Sequence, residues 1–371
     1  MNKEQIIKAL QEVVVSGDRD NIVDSGVLQD LQIVGDEVVV DLLLNNPAMH
    51  VKKRIEVYIL NAIHQQVAPK VKVTVNIQVK TKEKPQIRGT EVPGVKNVIA
   101  IASGKGGVGK STIATNIAVA LVRMGFQVGL LDADIYGPSI PVMFDVEDAR
   151  PTAVYIEGKE KMQPAESYGV KLLSIGFFSG TNQAVVWRGP MASKALRQLI
   201  RDTHWGELDF LIIDLPPGTG DIHLSLVQEL PLTGAIIVST PQKVALTDAR
   251  KAVAMFLLDA IKVPVIGIVE NMAYFTPEES PDRKYYIFGK GGARRLASDL
   301  QIPFLGEAPI LQSIREAADA GRPAVLQENS LTAEFFKQIT RNAVEQLVLR
   351  NEKFPPTEAL RITTMAGCSV R

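Results

Sequence analysis

The sequence predicts an α/β fold in which a small α+β domain precedes a doubly wound, mostly parallel sheet. From residue 96 onward, short apolar runs of strand length alternate with helical segments, which is typical of a parallel sheet covered on both faces. Residues 1–79 have their own pattern of helix, hairpin, helix and strand, and a polar stretch with prolines and glycines joins the two parts. We therefore expect a small domain at 1–79, a linker at 80–95, a large domain at 96–349 and a C-terminal tail at 350–371.

The small domain is predicted from the spacing of its apolar residues. They recur at helical intervals near the N-terminus, at Ile6, Ile7, Leu10, Val13 and Val14. The segments VLQDLQIV and EVVVDLLL flank a Gly35-Asp36 turn, as the two strands of a hairpin do. A second helix is expected from about residue 50 to 67, and the alternating strand VKVTVNIQV follows it.

The large domain is predicted to contain six strands, NVIAIAS, QVGLLDAD, DFLIIDL, GAIIVST, VIGIVEN and IPFLGEA. Two segments interrupt the alternation, one at about 150–190 and a polar loop at 276–286. The last helix is expected in SLTAEFFKQITRNAVEQLVL, with Ser330 as its N-cap. The tail, which includes Pro355-Pro356, is expected to be weakly structured.

Composition and charge exclude several classes of protein. With 371 residues, 46% hydrophobic and 22% charged, the chain has ample apolar surface for a core and is not a disordered protein. The 41 Lys and Arg residues balance 41 Asp and Glu residues, so the bulk charge does not indicate nucleic acid or an anionic membrane as a partner. No apolar run reaches the roughly 18 residues of a membrane span, and the N-terminus lacks the apolar block of a signal peptide. We therefore expect a cytoplasmic protein with no membrane or nucleic-acid partner.

The first strand of the large domain leads directly into GKGGVGKST at residues 104–112, followed by a helical pattern. This is a P-loop in its required context of strand, glycine loop and helix. Glycines allow successive backbone N–H groups to turn around phosphate oxygens, and the helix N-terminus adds a partial positive charge. Lys110 is placed to reach the β and γ phosphates, Ser111 to bind Mg²⁺ and Thr112 to contact the α phosphate. The residues expected to bind nucleotide here are Gly104, Gly106, Gly107, Val108, Gly109, Lys110, Ser111 and Thr112.

Lys105 lies inside the glycine loop rather than after it. A loop wrapped around a phosphate directs its intervening side chains outward, so Lys105 is poorly placed for its own nucleotide. Two interpretations remain open: it is a solvated loop lysine, or it reaches the nucleotide of a neighbouring copy.

Carboxylates follow two of the predicted strands, Asp132 and Asp134 in LLDADIYGPS and Asp214 in FLIIDLPPGTGD. The carboxyl ends of parallel strands form the ligand-binding edge of such a sheet. Asp214 fits the shell of a Mg²⁺ ion, Asp134 is the first candidate for orienting an attacking water, and Asp132 is the second. An Asp at the end of a strand is also a common turn or N-cap residue.

Together these residues resemble the Mrp (ApbC) family of P-loop ATPases. The resemblance rests on KGGVGK with the additional Lys105, LLDADIYGPS, the WRGPM run at 187–191, IIDLPPGTGD, STPQKVALTDARKAV and IVENMAYF. The family belongs to the deviant Walker-A group with MinD, ParA and the nitrogenase iron protein, which implies a MinD-like P-loop NTPase fold. Residues 1–79, through DNIVDSGVLQDLQI, resemble the small domain that accompanies iron-sulfur assembly factors.

The resemblance implies a function and further site residues. Members are ATP-hydrolysing homodimers that use ATP and Mg²⁺, carry a [4Fe-4S] cluster and pass it to apoproteins. Lys105 would be the signature lysine that crosses to the partner's nucleotide, so the catalytic set would be Lys105, Lys110, Asp132 and Asp134. Asn271 would read the adenine base, and the loop around Pro309 would close over it.

In one respect the sequence departs from the family. Cluster-carrying members place a C-x-x-C pair shortly after the ENMxYF segment, and here residues 273–286 contain no cysteine. Cys368, the single cysteine of the chain, is then either a cluster ligand shared between two copies or an incidental terminal residue. An ATP-dependent switch of the MinD or ParA kind and an ATP-binding scaffold remain alternative functions.

Overall fold

The computed structural model describes residues 2–13, 21–34, 37–44, 49–69, 71–79, 92–156, 158–178, 189–220, 223, 227, 232–259, 261–277, 279–280, 283–328 and 330–353. By their internal contacts the residues form two compact units. One is Met1–Lys84 with Met124–Phe126, and the other is Pro85–Arg123 with Gln127–Arg371.

The smaller unit contains a three-stranded sheet and two helices. Its elements are α1 (Lys3–Leu10), β1 (Leu28–Val34), β2 (Glu37–Leu44), α2 (Met49–Gln66) and β3 (Lys72–Val79). β1 and β2 pair antiparallel and β2 and β3 pair parallel, which confirms the predicted hairpin and the helix and strand that follow it. Asn2 and Gln5 form a reciprocal capping box that fixes the start of α1. Val14 and the Gly35-Asp36 turn lie outside the described residues.

The larger unit is built on an eight-stranded sheet with the order β13-β12-β11-β4-β10-β5-β9-β8. The strands are β4 (Val95–Ala102), β5 (Val128–Asp132), β8 (Ala165–Ser167), β9 (Val170–Ser174), β10 (Leu208–Asp214), β11 (Gly234–Ser239), β12 (Val265–Phe275) and β13 (Phe304–Ile310). Every neighbouring pair is parallel except β8 with β9. β5 and β11 are buried along their whole length, as expected of a sheet covered on both faces.

Seven α-helices are described in this unit. They are α3 (Lys110–Arg123), α4 (Ile140–Met143), α5 (Gly189–Asp202), α6 (Lys243–Leu257), α7 (Gly292–Asp299), α8 (Gln312–Asp319) and α9 (Leu331–Lys353). The hydroxyl of Ser330 accepts the N–H of Ala333 at 3.0 Å, so the predicted N-cap is confirmed. α9 continues past Leu349 into the segment that the sequence assigns to the tail.

Residues 150–178 add strands that the sequence pattern does not predict. β6 (Thr152–Ile156) and β7 (Lys159–Gln163) form a separate antiparallel hairpin, and β8 and β9 extend the main sheet beyond β5. The expectation of six strands is therefore wrong for the main sheet, which has eight. Both strands of the hairpin are largely exposed, and the second, KEKMQ, is polar, so the pair lacks the burial that marks the central strands.

The topology brings the predicted carboxylates together. β10 lies between β4 and β5, and Asp214 pairs in register with Asp132. The P-loop follows β4, so the glycine loop and the two acidic strand ends meet at one edge of the sheet.

Candidate nucleotide and magnesium site

The P-loop forms the connection between β4 and α3, because β4 ends at Ala102 and α3 begins at Lys110. Gly107 and Gly109 both have a φ of +78°, a left-handed conformation that residues with a Cβ rarely adopt. Left-handed residues in a short loop turn neighbouring N–H groups toward one side, and such a concavity binds anions. With the helix N-terminus beside it, the loop fits the phosphates of a nucleotide.

Asn271 lies against this loop near the end of β12. Its Nδ2 donates to the carbonyl oxygen of Val108 at 2.8 Å, and the side chain is buried. A Cβ at Gly109 would lie 2.1 Å from the same Nδ2, so glycine is needed here for the approach of Asn271 as well as for the backbone. Met272 has a φ of +56°, and the pairing of β12 with β13 shifts register beyond Asn271. The structure therefore places the residue expected to read adenine beside the P-loop.

The ammonium group of Lys110 lies between two carboxylates. Its Nζ is 2.7 Å from Oδ1 of Asp214 and 3.6 Å from Oδ2 of Asp134. Lys110 is 6% exposed and Asp214 is 0% exposed, so solvent screens their attraction only weakly. The ion pair fixes the P-loop lysine at the edge where β5 and β10 end.

Ser111 and Asp214 present neighbouring oxygen atoms. The Ser111 hydroxyl donates to Oδ2 of Asp214 at 2.6 Å. Mg²⁺ binds oxygen ligands and usually keeps several waters, taking one or two protein groups together with substrate phosphates. A hydroxyl and a carboxylate beside a phosphate-binding loop fit that ligand set.

Asp132 and Asp134 have different surroundings although one residue separates them. Asp132 is 0% exposed. Its Oδ1 accepts the N–H of Asp134 at 3.1 Å, and its Oδ2 accepts the N–H of Ile140 at 3.2 Å and the hydroxyl of Ser174 at 2.9 Å. Asp134 instead directs Oδ2 toward Lys110. Asp134 therefore faces the P-loop, whereas Asp132 holds the backbone of its own loop.

Burial perturbs the acids at this edge. It raises the pKa of Asp132 to about 7, the charge of Asp214 acts in the same direction, and the Ser174 hydrogen bond opposes both. Burial also raises the pKa of Asp214, against the lowering effect of Lys110 and Ser111. Negative charge is thus costly here, which favours the binding of cations.

Other predicted residues lie around the loop. The carbonyl of Thr112 accepts Nδ2 of Asn116 at 2.9 Å in the first turn of α3. Gly104 packs on α6, where a Cβ would lie 2.2 Å from the carbonyl carbon of Asp248. Lys105 is half-buried, and its ammonium group has no ion pair or hydrogen bond with any residue that the structure describes.

One expected position is corrected and others are not observed. Pro309 lies buried within β13 and not in a loop. β13 is an edge strand, which tolerates a proline because one side of its backbone needs no partner. Trp187, Arg188 and Cys368 lie outside the described residues.

Sequence reasoning missed two side chains near the site. Ser174 ends β9 in register with Asp132, and its position after the apolar run VKLL is the signal that could have found it. His223 is buried, and its Nε2 donates to the carbonyl of Pro216 in the loop after Asp214. Burial lowers the pKa of His223, and no sequence signal distinguishes this histidine.

The segment after β12 is closed by its own backbone. The N–H of Phe275 donates to the carbonyl of Tyr285 and the N–H of Tyr285 donates to the carbonyl of Phe275, both at 2.8 Å. The Lys284 ammonium lies 4.1 Å from the centre of the Tyr274 ring. Within the described ranges, no group of three or more His, Cys, Asp or Glu residues could hold a metal ion.

Comparison with known proteins identifies the family. The family model described as NUBPL iron-transfer P-loop NTPase, named ParA, matches residues 94–344, and a model described as iron-sulfur cluster assembly protein matches residues 3–77. The chain belongs to the NUBPL iron-transfer P-loop NTPase family. This confirms the predicted family resemblance and fold class, and it makes the protein an ATPase by family.

Individual relatives agree with this assignment. An iron-sulfur cluster carrier protein of Deinococcus radiodurans is 42% identical over 94% of this chain and 96% of its own length. An iron-sulfur cluster transfer protein NUBPL of Dictyostelium discoideum is 45% identical over 72% of this chain and 81% of its own. The solved structure of an Archaeoglobus fulgidus nucleotide-binding protein in complex with ADP is similar with a TM-score of 0.57 and 37% identity, over 66% of this chain and 94% of that one. Among the helices of the described residues, none has the length and apolar character of a transmembrane segment.

Proposed function

We propose that this protein is an ATP-hydrolysing iron-sulfur cluster carrier that works as a homodimer and delivers clusters to apoproteins. The observation that carries the proposal is the set of Lys110, Ser111, Asp134 and Asp214 around one phosphate-binding loop, with contacts of 2.6 to 3.6 Å. The names of the relatives support iron-sulfur clusters as the cargo. The N-terminal unit, similar to an iron-sulfur cluster assembly protein, would contact assembly proteins or recipients.

The chain's own residues account for hydrolysis of the β–γ phosphoanhydride bond. The P-loop amides and Lys110 bind the β and γ phosphates, and Asp134 accepts a hydrogen bond from the attacking water and orients it. Ser111 and Asp214 would hold Mg²⁺, which would supply positive charge to the phosphates when bound. Water adds to the γ phosphorus and one of its protons is released to solvent, the bond from that phosphorus to the β–γ bridging oxygen breaks, and ADP and inorganic phosphate leave.

A second copy would complete the pocket through Lys105. Its ammonium group has no hydrogen bond or ion pair with any described residue of its own chain, although its loop borders the phosphate site. An ammonium group supplied from the partner would stabilise charge that develops on the phosphates in the transition state. Asn271, beside Val108, would read the adenine base.

The number of cysteines limits how many cluster ligands this chain can provide. The chain has one cysteine, Cys368, and no cysteine between β12 and α7. Two copies would bring two thiolates to a cluster, and the recipient or small thiols would supply the others. Transient holding of this kind suits a carrier, because the cluster must also leave.

The thiol-free loop favours one second candidate, an ATP-dependent dimerisation switch or scaffold of the MinD or ParA kind that carries no cluster. It would use the same nucleotide site and the same Lys105 contact. The two candidates differ in iron content and not in ATP hydrolysis.

Anaerobic reconstitution separates them. We expect wild-type protein to bind iron and acid-labile sulfide in equal amounts, and Cys368→Ser to lose both while still hydrolysing ATP. Transfer is then measured as activation of an apoprotein that requires a [4Fe-4S] cluster. Wild-type protein without iron and sulfide above background would exclude the carrier and leave the switch, whereas equal cluster content in Cys368→Ser would exclude Cys368 as the ligand.

A further inference from the structure

Ser174 connects β9 to the edge of the sheet where Asp132, Asp134 and Asp214 lie. It ends β9 and pairs in register with Asp132 of β5. Both residues are 0% exposed. The Ser174 hydroxyl donates to Oδ2 of Asp132 at 2.9 Å, so a hydrogen bond between buried groups joins the ends of two neighbouring strands.

The hydroxyl of Ser174 uses both its donor and an acceptor position. While its proton is directed to Asp132, its oxygen accepts the N–H of Gly176 at 3.0 Å. A Cβ on Gly176 would lie 3.1 Å from Oγ of Ser174 and 3.2 Å from Cβ of Pro138, so the space around the hydroxyl is filled. Two hydrogen bonds and close packing fix the Ser174 rotamer, which in turn fixes the plane of the Asp132 carboxylate.

Asp132 transmits this orientation to the loop that carries Asp134. Its two oxygens accept the N–H groups of Asp134 and Ile140, which lie at opposite ends of the turn after β5. Both donors follow β5 in the chain, Asp134 in the loop and Ile140 as the first residue of α4. Ser174 is the donor that comes from another strand, so it ties the loop to the rigid sheet.

We propose that Ser174 is a positioning residue for ATP hydrolysis, which sets the place of the Asp134 carboxylate relative to Lys110 by orienting Asp132. This inference rests on the proposed function, because it assigns a role in the same reaction. Ser174 does not contact Lys110 or the P-loop in any hydrogen bond of the described structure. Its effect therefore falls on the chemical step and not on nucleotide binding.

The test compares steady-state phosphate release from Mg-ATP by the full-length chain and its variants. We expect Ser174→Ala to lower kcat about tenfold while KM changes less than about twofold, since ground-state contacts to the nucleotide remain. Ser167→Ala is the matched control, because it removes a hydroxyl that donates to the Phe144 carbonyl at 3.1 Å away from the site, and its kcat stays at the wild-type value.

Hydrogen exchange over residues 133–139 gives a second readout. Exchange becomes faster in Ser174→Ala and stays unchanged in Ser167→Ala, because only the former releases the loop. If Ser174→Ala does not fold, Ser174→Cys replaces it, since the thiol has similar shape and is a much weaker donor.

Three results would overturn the inference: wild-type kcat in Ser174→Ala or Ser174→Cys, an equal loss of kcat in Ser167→Ala, or a change confined to KM. Wild-type protein that hydrolyses no ATP would remove the proposed function and this inference with it. Active wild-type protein with an equally active Ser174→Ala would remove only the role of Ser174.

Discussion

Replacing Lys110 with methionine isolates the electrostatic contribution of its buried ion pair to folding. Methionine keeps an unbranched apolar stem, so packing in the site changes little. The substitution leaves Asp214, which is 0% exposed, without the ammonium group that lies 2.7 Å from it. Removing one partner of a buried ion pair typically costs about 3–5 kcal/mol, because the other charge remains buried and uncompensated.

The expected loss depends on pH. Burial already raises the pKa values of Asp132 and Asp214, and loss of the cation raises them further. Protonation then neutralises these acids as the pH falls, whereas in the unfolded chain they titrate near their ordinary values. Lys110→Met should therefore lose about 3–5 kcal/mol of unfolding free energy at pH 8 and distinctly less at about pH 5.5.

Urea unfolding at both pH values measures this effect in the absence of nucleotide. The double variant Lys110→Met/Asp214→Asn closes a thermodynamic cycle, and we expect it to recover part of the loss because no uncompensated charge remains at position 214. Arg315→Met is a surface control, since its ion pairs with Glu316 and Asp319 are exposed and are worth at most about 1 kcal/mol. A loss in Lys110→Met no larger than in Arg315→Met, or one independent of pH, would refute the reasoning.

Further predictions concern the nucleotide and the acids. Calorimetry and phosphate release should show that Lys110→Ala abolishes ATP binding whereas Lys105→Ala keeps binding and lowers hydrolysis; equal loss of binding contradicts a role for Lys105 across subunits. The folded pKa of Asp132, about 7 against 3.8 for the ordinary group, makes stability decrease as pH rises from about 4 to 7, and Asp132→Asn should flatten this slope in urea unfolding. Gly109→Ala should weaken ATP binding by about tenfold or more, because it strains the P-loop backbone and displaces the side-chain amide of Asn271. Gly158→Ala is the control, because Gly158 has a φ of +77° and open space around an added Cβ. It introduces the same backbone strain away from the site and should bind ATP normally.

Most of the nucleotide site could be predicted from the sequence, because the motifs that mark the P-loop and the acidic strand ends are each contained in a short segment. The strand preceding the P-loop and the apolar runs before Asp132 and Asp214 are continuous and short, which indicates buried parallel strands. Since carboxyl ends of parallel strands meet at one edge, the acids could be placed together without knowing the strand order. Observed contacts between Lys110 and the carboxylates of Asp134 and Asp214 agree with that placement.

Other features depend on contacts between distant segments. β9 is a five-residue strand whose place beside β5 is set by pairing across the sheet, and nothing in its own composition specifies that neighbour. The hydrogen bond from Ser174 to Asp132 follows from this pairing, so the segment VKLL can mark Ser174 as the end of a strand but cannot specify its partner. The family resemblance implies a loop around Pro309, yet this residue lies in the edge strand β13, which accommodates a proline.

The two outer strands of the main sheet have a consequence for how the protein behaves at high concentration. At one border, β8 has only three residues and runs antiparallel to its neighbour. At the other, β13 contains Pro309, which cannot donate a backbone hydrogen bond. Neither border offers a long, regular row of donors and acceptors to a strand from another molecule, which is how natural sheets resist aggregation. The breadth of the sheet therefore does not by itself expose the protein to association through strand pairing at its outer strands.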